Sequence, residues 1–187
     1  GVRAAAIEFL FQSVNPIVIE EAERQIREEA FPNRTDIPKD MITVHVRWGD
    51  KFKEMELATV EEYVNATIQL LTDEEKSGAK PVHIYLATID QFAIEAFEKH
   101  AKPNWIIHRS GPTNSKNDNF VLSKSFLDNG RSGLQCLASL LISMESNRFV
   151  LTRLSNWSRL IDELRKTVLD YRCGNCTQMI DLRPGEV

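Results

Sequence analysis

The segment Ile42-Thr43-Val44-His45-Val46-Arg47-Trp48-Gly49-Asp50-Lys51 carries a β-branched run directly into charged and titratable side chains. β-branched runs favour strands. On an extended chain His45 and Arg47, two apart, point the same way. A core strand gains nothing by ending in an arginine. A strand end that holds an anion does, because the guanidinium is a rigid fork of donors suited to phosphate. The chemistry to expect here is phosphate binding at a strand end. The alternative is a strand emerging into solvent with ordinary surface charges.

The elements around this segment decide where it can act. Asn15 and Pro16 read as an N-cap and first helical residue, opening a helix to about Ala30 that Phe31-Pro32-Asn33 ends. Strand 42–47 follows, then a charged loop. Thr59-Val60-Glu61-Glu62 is a capping box that starts a helix to about Leu71. Asp73–Lys80 reads as a polar turn. Val82–Ala87 is a second buried strand, and Thr88 or Asp90 caps a helix to about His100. Trp105–His108 is a third strand. Residues 109–129 form a long polar loop, of a length usually functional or disordered in compact domains. A helix over Arg131–Met144, a fourth strand over Arg148–Thr152 and a last helix from Leu154 or Ser155 to about Asp170 complete the order. Residues 171–187 read as a tail.

Strand and helix in repeated alternation predict an α/β fold, a Rossmann-like parallel sheet with helices on both faces. Ligands of such sheets bind beyond the carboxyl ends of the strands. His45–Lys51 and Thr152–Ser155 both lie at such ends, so one crevice can join them. The chain has neither a Gly-x-Gly-x-x-Gly sequence nor a Walker A loop, which argues against an ordinary dinucleotide site or a P-loop.

At 187 residues and 42% hydrophobic content the chain suits one domain with a proper core. A formal charge of −4 argues against nucleic acid as a partner. No apolar run approaches the roughly 18 residues of a membrane span, so a membrane anchor, if any, is expected outside this chain. The sequence opens at Gly1 without a signal-peptide pattern and reads as a piece of something longer. Four Asn-x-Ser/Thr sequons, at Asn33, Asn65, Asn156 and Asn175, favour a lumenal or secreted setting. Cys136 lies in an apolar helical stretch and reads as packing. Cys173 and Cys176 form a Cys-x-x-Cys that follows a helix. A local disulfide, a bond to a segment outside the chain, unpaired thiols and a metal site are all open readings, although a zinc site would lack its second pair of ligands.

Several motifs stand in an order that resembles a known family. They are Phe9-Leu10-Phe11, His45-Val46-Arg47-Trp48-Gly49-Asp50-Lys51, Pro81-Val82 with Tyr85-Leu86-Ala87-Thr88, and Thr152-Arg153-Leu154-Ser155-Asn156-Trp157-Ser158-Arg159. Over roughly residues 8–170 the chain resembles the nucleotide-binding half of α1,6-fucosyltransferases, which add core fucose to N-glycans. The wider group includes chitooligosaccharide and protein O-fucosyltransferases. The resemblance implies a GT-B glycosyltransferase of two Rossmann-like domains, this chain supplying the donor domain. It implies GDP-fucose as donor, an oligosaccharide or glycoprotein as acceptor, inversion at the sugar carbon, no cofactor or metal, and work in the Golgi or secretory-pathway lumen. No Asp-x-Asp motif is present, in keeping with that chemistry.

By the same resemblance Arg47 grips the donor phosphates and His45 lies close to the nucleoside. Asp50 and Lys51 match the acidic and basic pair that follows. Thr152 belongs to the matching strand end, and Ser155 matches a serine that binds the β-phosphate at a helix N-terminus, where anions are favoured. Glu54 falls within one position of the family's proposed general base, with Glu56 as competitor; a base is needed because the acceptor hydroxyl loses a proton as it attacks. The chain also departs from the pattern. Trp48 and Gly49 stand where the family continues Arg-Thr after its first arginine. Ser139 aligns with an aspartate that reads the guanine edge, which puts guanine selectivity in question. Arg153-Leu154 interrupts a Thr-Phe-Ser-Ser pattern. These departures motivate two alternatives: a non-catalytic lumenal binding module on the same fold, and a glycosyltransferase using another nucleotide sugar.

His83 alternates with apolar residues and reads as structural, whereas His108 and Arg109 are expected either in solvent or against the donor. Trp105 and Trp157 read as packing residues. Arg159 is expected to reach phosphate or to pair with Asp162 or Glu163 on its own helix.

Overall fold

The structure, a computed structural model of the chain, describes residues 11–34, 36–49, 56–113 and 128–183. Five strands are present among these residues: β1 (Ile42–His45), β2 (Val82–Ala87), β3 (Trp105–His108), β4 (Arg148–Leu151) and β5 (Gln178–Asp181). They form one sheet in the order β3-β2-β1-β4-β5, and every neighbouring pair is parallel. The expected α/β, Rossmann-like sheet with helices on both faces is therefore present. The strand order reverses between β1 and β4, the kind of switch point near which ligands of open α/β sheets bind.

The central strands β1, β2 and β4 bury alternate residues on opposite faces. Ile42, Val44, Ile84, Leu86 and Val150 pack on one side. That side is covered by α2 (Val60–Gln69) and α4 (Gln91–His100), whose Tyr63, Val64, Ile94 and Phe97 are buried. Tyr85, Phe149 and Leu151 face the other side. There α1 (Pro16–Gln25) lies along α5 (Arg131–Met144), with α6 (Asn156–Leu164) beside α5. Burying one such side chain contributes about 1.5–3 kcal/mol, so sheet and helices are stable only together.

Local signals behave as read. Asn15 accepts from the Ile17 N–H with Pro16 at the first helical position. The Thr59–Glu62 capping box closes in both directions. Asp90, not Thr88, caps α4 by accepting from the Ala93 N–H; the Thr88 hydroxyl accepts from the Asp90 N–H instead. The first helix reaches Ala30 through a π turn, Ile26–Ala30, and the last continues through a second π turn, Arg165–Leu169, into α7 (Asp170–Cys173).

Two expectations are corrected. The polar turn after α2 contains a short helix, α3 (Asp73–Lys76), started by a second capping box between Thr72 and Glu75. The tail contains β5, which continues the sheet beyond β4. Four residues of mixed polarity at a half-covered sheet edge lack the apolar run that marks a central strand.

Glu75, within α3, is buried and forms a two-pronged ion pair with Arg148 at 2.7 and 2.9 Å. Arg148 also donates to the carbonyls of Leu70 and Asp40. The amino end of β4 is thereby tied to the connections that enter β1 and leave α2. Burial raises the Glu75 pKa, but the hydrogen bonds from Arg148 and Thr72 and the Arg148 charge together outweigh it and hold the carboxyl below its ordinary value. Removing one partner leaves the other charged and buried. Glu75→Ala is expected to lose about 3 kcal/mol of unfolding free energy in urea titrations, and more than the paired Glu75→Leu, Arg148→Met variant loses.

Candidate functional site

A cavity of about 460 Å³ opens at the carboxyl ends of β1 and β2. His45, Arg47 and Trp48 form its wall on the β1 side, and Thr88 and Asp90 on the β2 side. Helix α5 closes it with Gly133, Cys136, Leu137, Ser139 and Ser143, while Trp157 of α6 stands at the far margin. A second, more open groove, near Leu71, Lys76, Lys102 and Trp105, lies toward the amino ends of β2 and β3, the end that such sheets do not use for ligands.

The ladder of β1 ends at His45, but the Val46 N–H still bonds the Ala87 carbonyl at 3.1 Å. Arg47 thus leaves the sheet in an extended direction, half-buried, with Nη1 donating to the Trp48 carbonyl at 2.7 Å. The Trp48 indole N–H donates to the Ala58 carbonyl at 2.8 Å and pins the returning chain. Trp48 is therefore an anchoring residue as well as part of the cavity wall. Gly49 has φ +74°, and a Cβ there would lie 3.3 Å from Asp90 Oδ2 and 3.8 Å from Arg47 Nη1. Asp90 and Arg47 converge on this glycine, and the tight approach favours a residue without a side chain.

His45 is 5% exposed, and its Nδ1 lies 2.7 Å from the Ser158 hydroxyl. Burial, with the Arg47 charge as a lesser cause, pushes its pKa down to about 3. The imidazole is thus neutral at physiological pH and can hydrogen-bond a ligand without neutralising an anion. Ser158 also accepts from the Thr152 N–H at 3.2 Å, so one hydroxyl ties the ends of β1 and β4 together. Among the described lining residues Arg47 is the cation and Asp90 the anion.

His45, Arg47 and Ser139 are brought to one cavity. Thr152 and Ser155 are not in its wall, although Ser158 links Thr152 to His45. Thr152 is fully buried, and its hydroxyl has no hydrogen-bond partner among the described residues. Ser155 stands at the N-cap of α6, but its hydroxyl makes no capping bond and its N–H is taken by the Thr152 carbonyl. Asp50, Lys51 and Glu54 lie outside the described residues.

Ser139 is held in a polar cluster. Its hydroxyl lies 3.0 Å from both Gln25 Oε1 and the Gln135 carbonyl. Gln25 is fully buried and also accepts from the Ser110 hydroxyl, which in turn bonds the Tyr85 hydroxyl. A Cβ on Gly111 would fall 2.6 Å from the Ser139 hydroxyl. Ser139 thus joins the cavity floor to α1 with its single proton already committed, and what it offers a ligand is an acceptor.

His108 is neither solvated nor in the cavity wall. The π turn covers it, and the Ala30 carbonyl lies 2.8 Å from its Nδ1. A carbonyl only accepts, so Nδ1 carries the proton; with the ring neutral, Nε2 accepts from His83 Nδ1 at 2.9 Å. Burial lowers both histidine pKa values. His83 is structural, as read, and Arg109 is exposed. Arg159 donates to the Arg153 carbonyl at 2.6 Å, and Asp162 pairs instead with Arg153 and Lys166.

The cavity adds Asp90, Cys136 and Trp157, which the sequence offered only as a cap and as packing residues. The one signal for Asp90 was its place three residues beyond a strand end. No protein-family model matches the chain, and no curated protein is similar to it.

His45 sets a pH dependence of stability. Its pKa falls from 6.5 to about 3 on folding, so between these values the unfolded chain binds a proton that the folded one refuses. This contribution is whole above pH 6.5 and is lost as pH falls toward 3, at about 1.4 kcal/mol per pH unit. Denaturant titrations at pH 7, 6, 5 and 4 are expected to show that decline, with a shallower slope in His45→Gln.

Proposed function

We propose that this chain is the donor-binding domain of an inverting, metal-independent fucosyltransferase of the α1,6 type, taking GDP-fucose and serving a glycan acceptor. The observation that carries the reading is the placement of Arg47 and neutral His45 in one cavity, at the carboxyl end of β1 where the strand order reverses. That is where a doubly wound sheet takes a nucleotide, and it is where the resemblance puts the donor phosphates and nucleoside.

In this reading Arg47 receives the pyrophosphate and stabilises the charge that grows on it as the sugar departs. One charged hydrogen bond contributes about 1.5–3 kcal/mol, so Arg47 needs a second cation at the diphosphate, for which the resemblance offers Lys51; Thr152 and Ser155, buried outside the cavity wall, brace the neighbouring strand end instead. Two carboxylates are candidates for the base: Glu54, from its place in the motif, and Asp90, from its place in the cavity wall beside Arg47. The disulfide between Cys173 and Cys176 supports an oxidising compartment such as the Golgi lumen.

A second reading, a donor domain for another nucleotide sugar, is favoured by Ser139. A hydroxyl committed to Gln25 and Gln135 lacks the paired acceptors with which a carboxylate reads the guanine N1–H and amino group. Calorimetric titration with GDP, UDP and ADP, without divalent metal, separates the readings. Selective GDP binding that weakens about tenfold to a hundredfold in Arg47→Ala is expected. Preference for UDP or ADP selects the second reading, and undiminished GDP binding by Arg47→Ala overturns the first.

A further inference from the structure

The Cys173–Cys176 disulfide has two chemically unlike ends. Cys173 is exposed, and its sulfur lies 3.9 Å from both the Asp170 carbonyl and the Asp170 carboxylate. It also sits in the last turn of a helix, the negative end of the peptide dipoles. Cys176 is half-buried, and the Arg165 guanidinium donates to its sulfur at 3.3 Å. Arg165 is 3% exposed and further held by Thr177, the Met144 carbonyl and Asn147. The other charges that act on this guanidinium are Asp170 and Glu145.

We propose that Cys173–Cys176 is a redox-active pair, opened by a dithiol reductant that attacks Cys173 and expels Cys176 as a thiolate held by Arg165. Thiol–disulfide exchange is fastest when the attacked sulfur is accessible and the leaving sulfur is a stable thiolate. Here the accessible sulfur and the cation-stabilised sulfur are different atoms, and they are the ones the reaction requires. The reductant's thiolate forms a new S–S bond to Cys173 Sγ as the Cys173–Cys176 bond breaks, and the electron pair leaves on Cys176 Sγ. The reductant's second thiol then attacks its own sulfur in the mixed disulfide and frees Cys173. The proton lost by that thiol ends on Cys173. The protein disulfide gains two electrons, and the dithiol is oxidised to its cyclic disulfide.

Asp170, Cys173 and Cys176 also lie close enough to suggest a metal site. Three donors fall short of the four of a structural zinc, and the Arg165 guanidinium already supplies the positive charge at Cys176. The redox state bears on the rest of the fold through β5, which starts two residues after Cys176. On β5, Asp181 accepts from the N–H and Nε of Arg153, at 2.7 and 2.9 Å, and so fixes the loop from β4 to α6.

The test uses the whole chain and dithiothreitol. Reduction is followed by maleimide-polyethylene glycol gel shift in the native protein and in Arg165→Gln. Reduction at least threefold slower in Arg165→Gln is expected, and an equal or faster rate in a folded variant overturns the proposal. If Arg165→Gln does not fold, thiolate absorbance at 240 nm decides, read against pH in Cys173→Ser and in Cys176→Ser. The thiolate of Cys176, seen in Cys173→Ser, is expected at least one pH unit below that of Cys173. Equal or reversed values overturn the assignment; Cys136 is common to both variants and cancels.

Discussion

Strand β4 returns from the far part of the chain to pair in parallel along β1, and most of the described structure depends on that contact. It is held at both ends by groups that would otherwise be buried without partners. At the amino end Arg148 bonds Glu75 and two carbonyls. At the carboxyl end Ser158 joins His45 to the Thr152 N–H. Between these ties lie Val44 and Val150, each fully buried. Because β1 also pairs with β2 on its other side, the strand order reverses here, and the cavity opens next to this point, over the carboxyl ends of β1 and β2 and against α5.

The electrostatics of that cavity follow from its burial. Burial, with the Arg47 charge as a lesser cause, disfavours the doubly protonated ring, so His45 is a neutral partner. Arg47 lies only two residues further along the chain and is half-buried. A neutral donor or acceptor, a fixed cation and the Asp90 carboxylate then share one small space. Such a set suits a ligand with one anionic portion and one polar, uncharged portion.

Both edges of the sheet are specialised. At one edge the buried His83–His108 pair is covered by the π turn that ends the first helix, and the Ala30 carbonyl fixes the proton positions. At the other edge β5 is short and is held from outside by the disulfide turn and by the Asp181–Arg153 clamp. The clamp also gives Arg153 its place. Its side chain serves the sheet edge and not the cavity.

Element types were largely legible in the sequence, because they arise from interactions within a few residues. The β-branched runs of β1, β2 and β4, the Asn15 and Thr59 caps and the amphipathic helices all announce themselves locally. So did the parallel alternation, and with it the expectation that strand ends meet. The short α3 and β5 escaped because four-residue elements carry little periodic signal and depend on distant partners, Arg148 for one and β4 for the other. Only the tertiary structure decided that His45 is neutral, that Ser139 is committed to Gln25, that Asp90 faces Arg47 and that His108 is sealed beneath Ala30. Each is a property of burial and of a partner far away in the chain, and neither can be read from the residue's own neighbours.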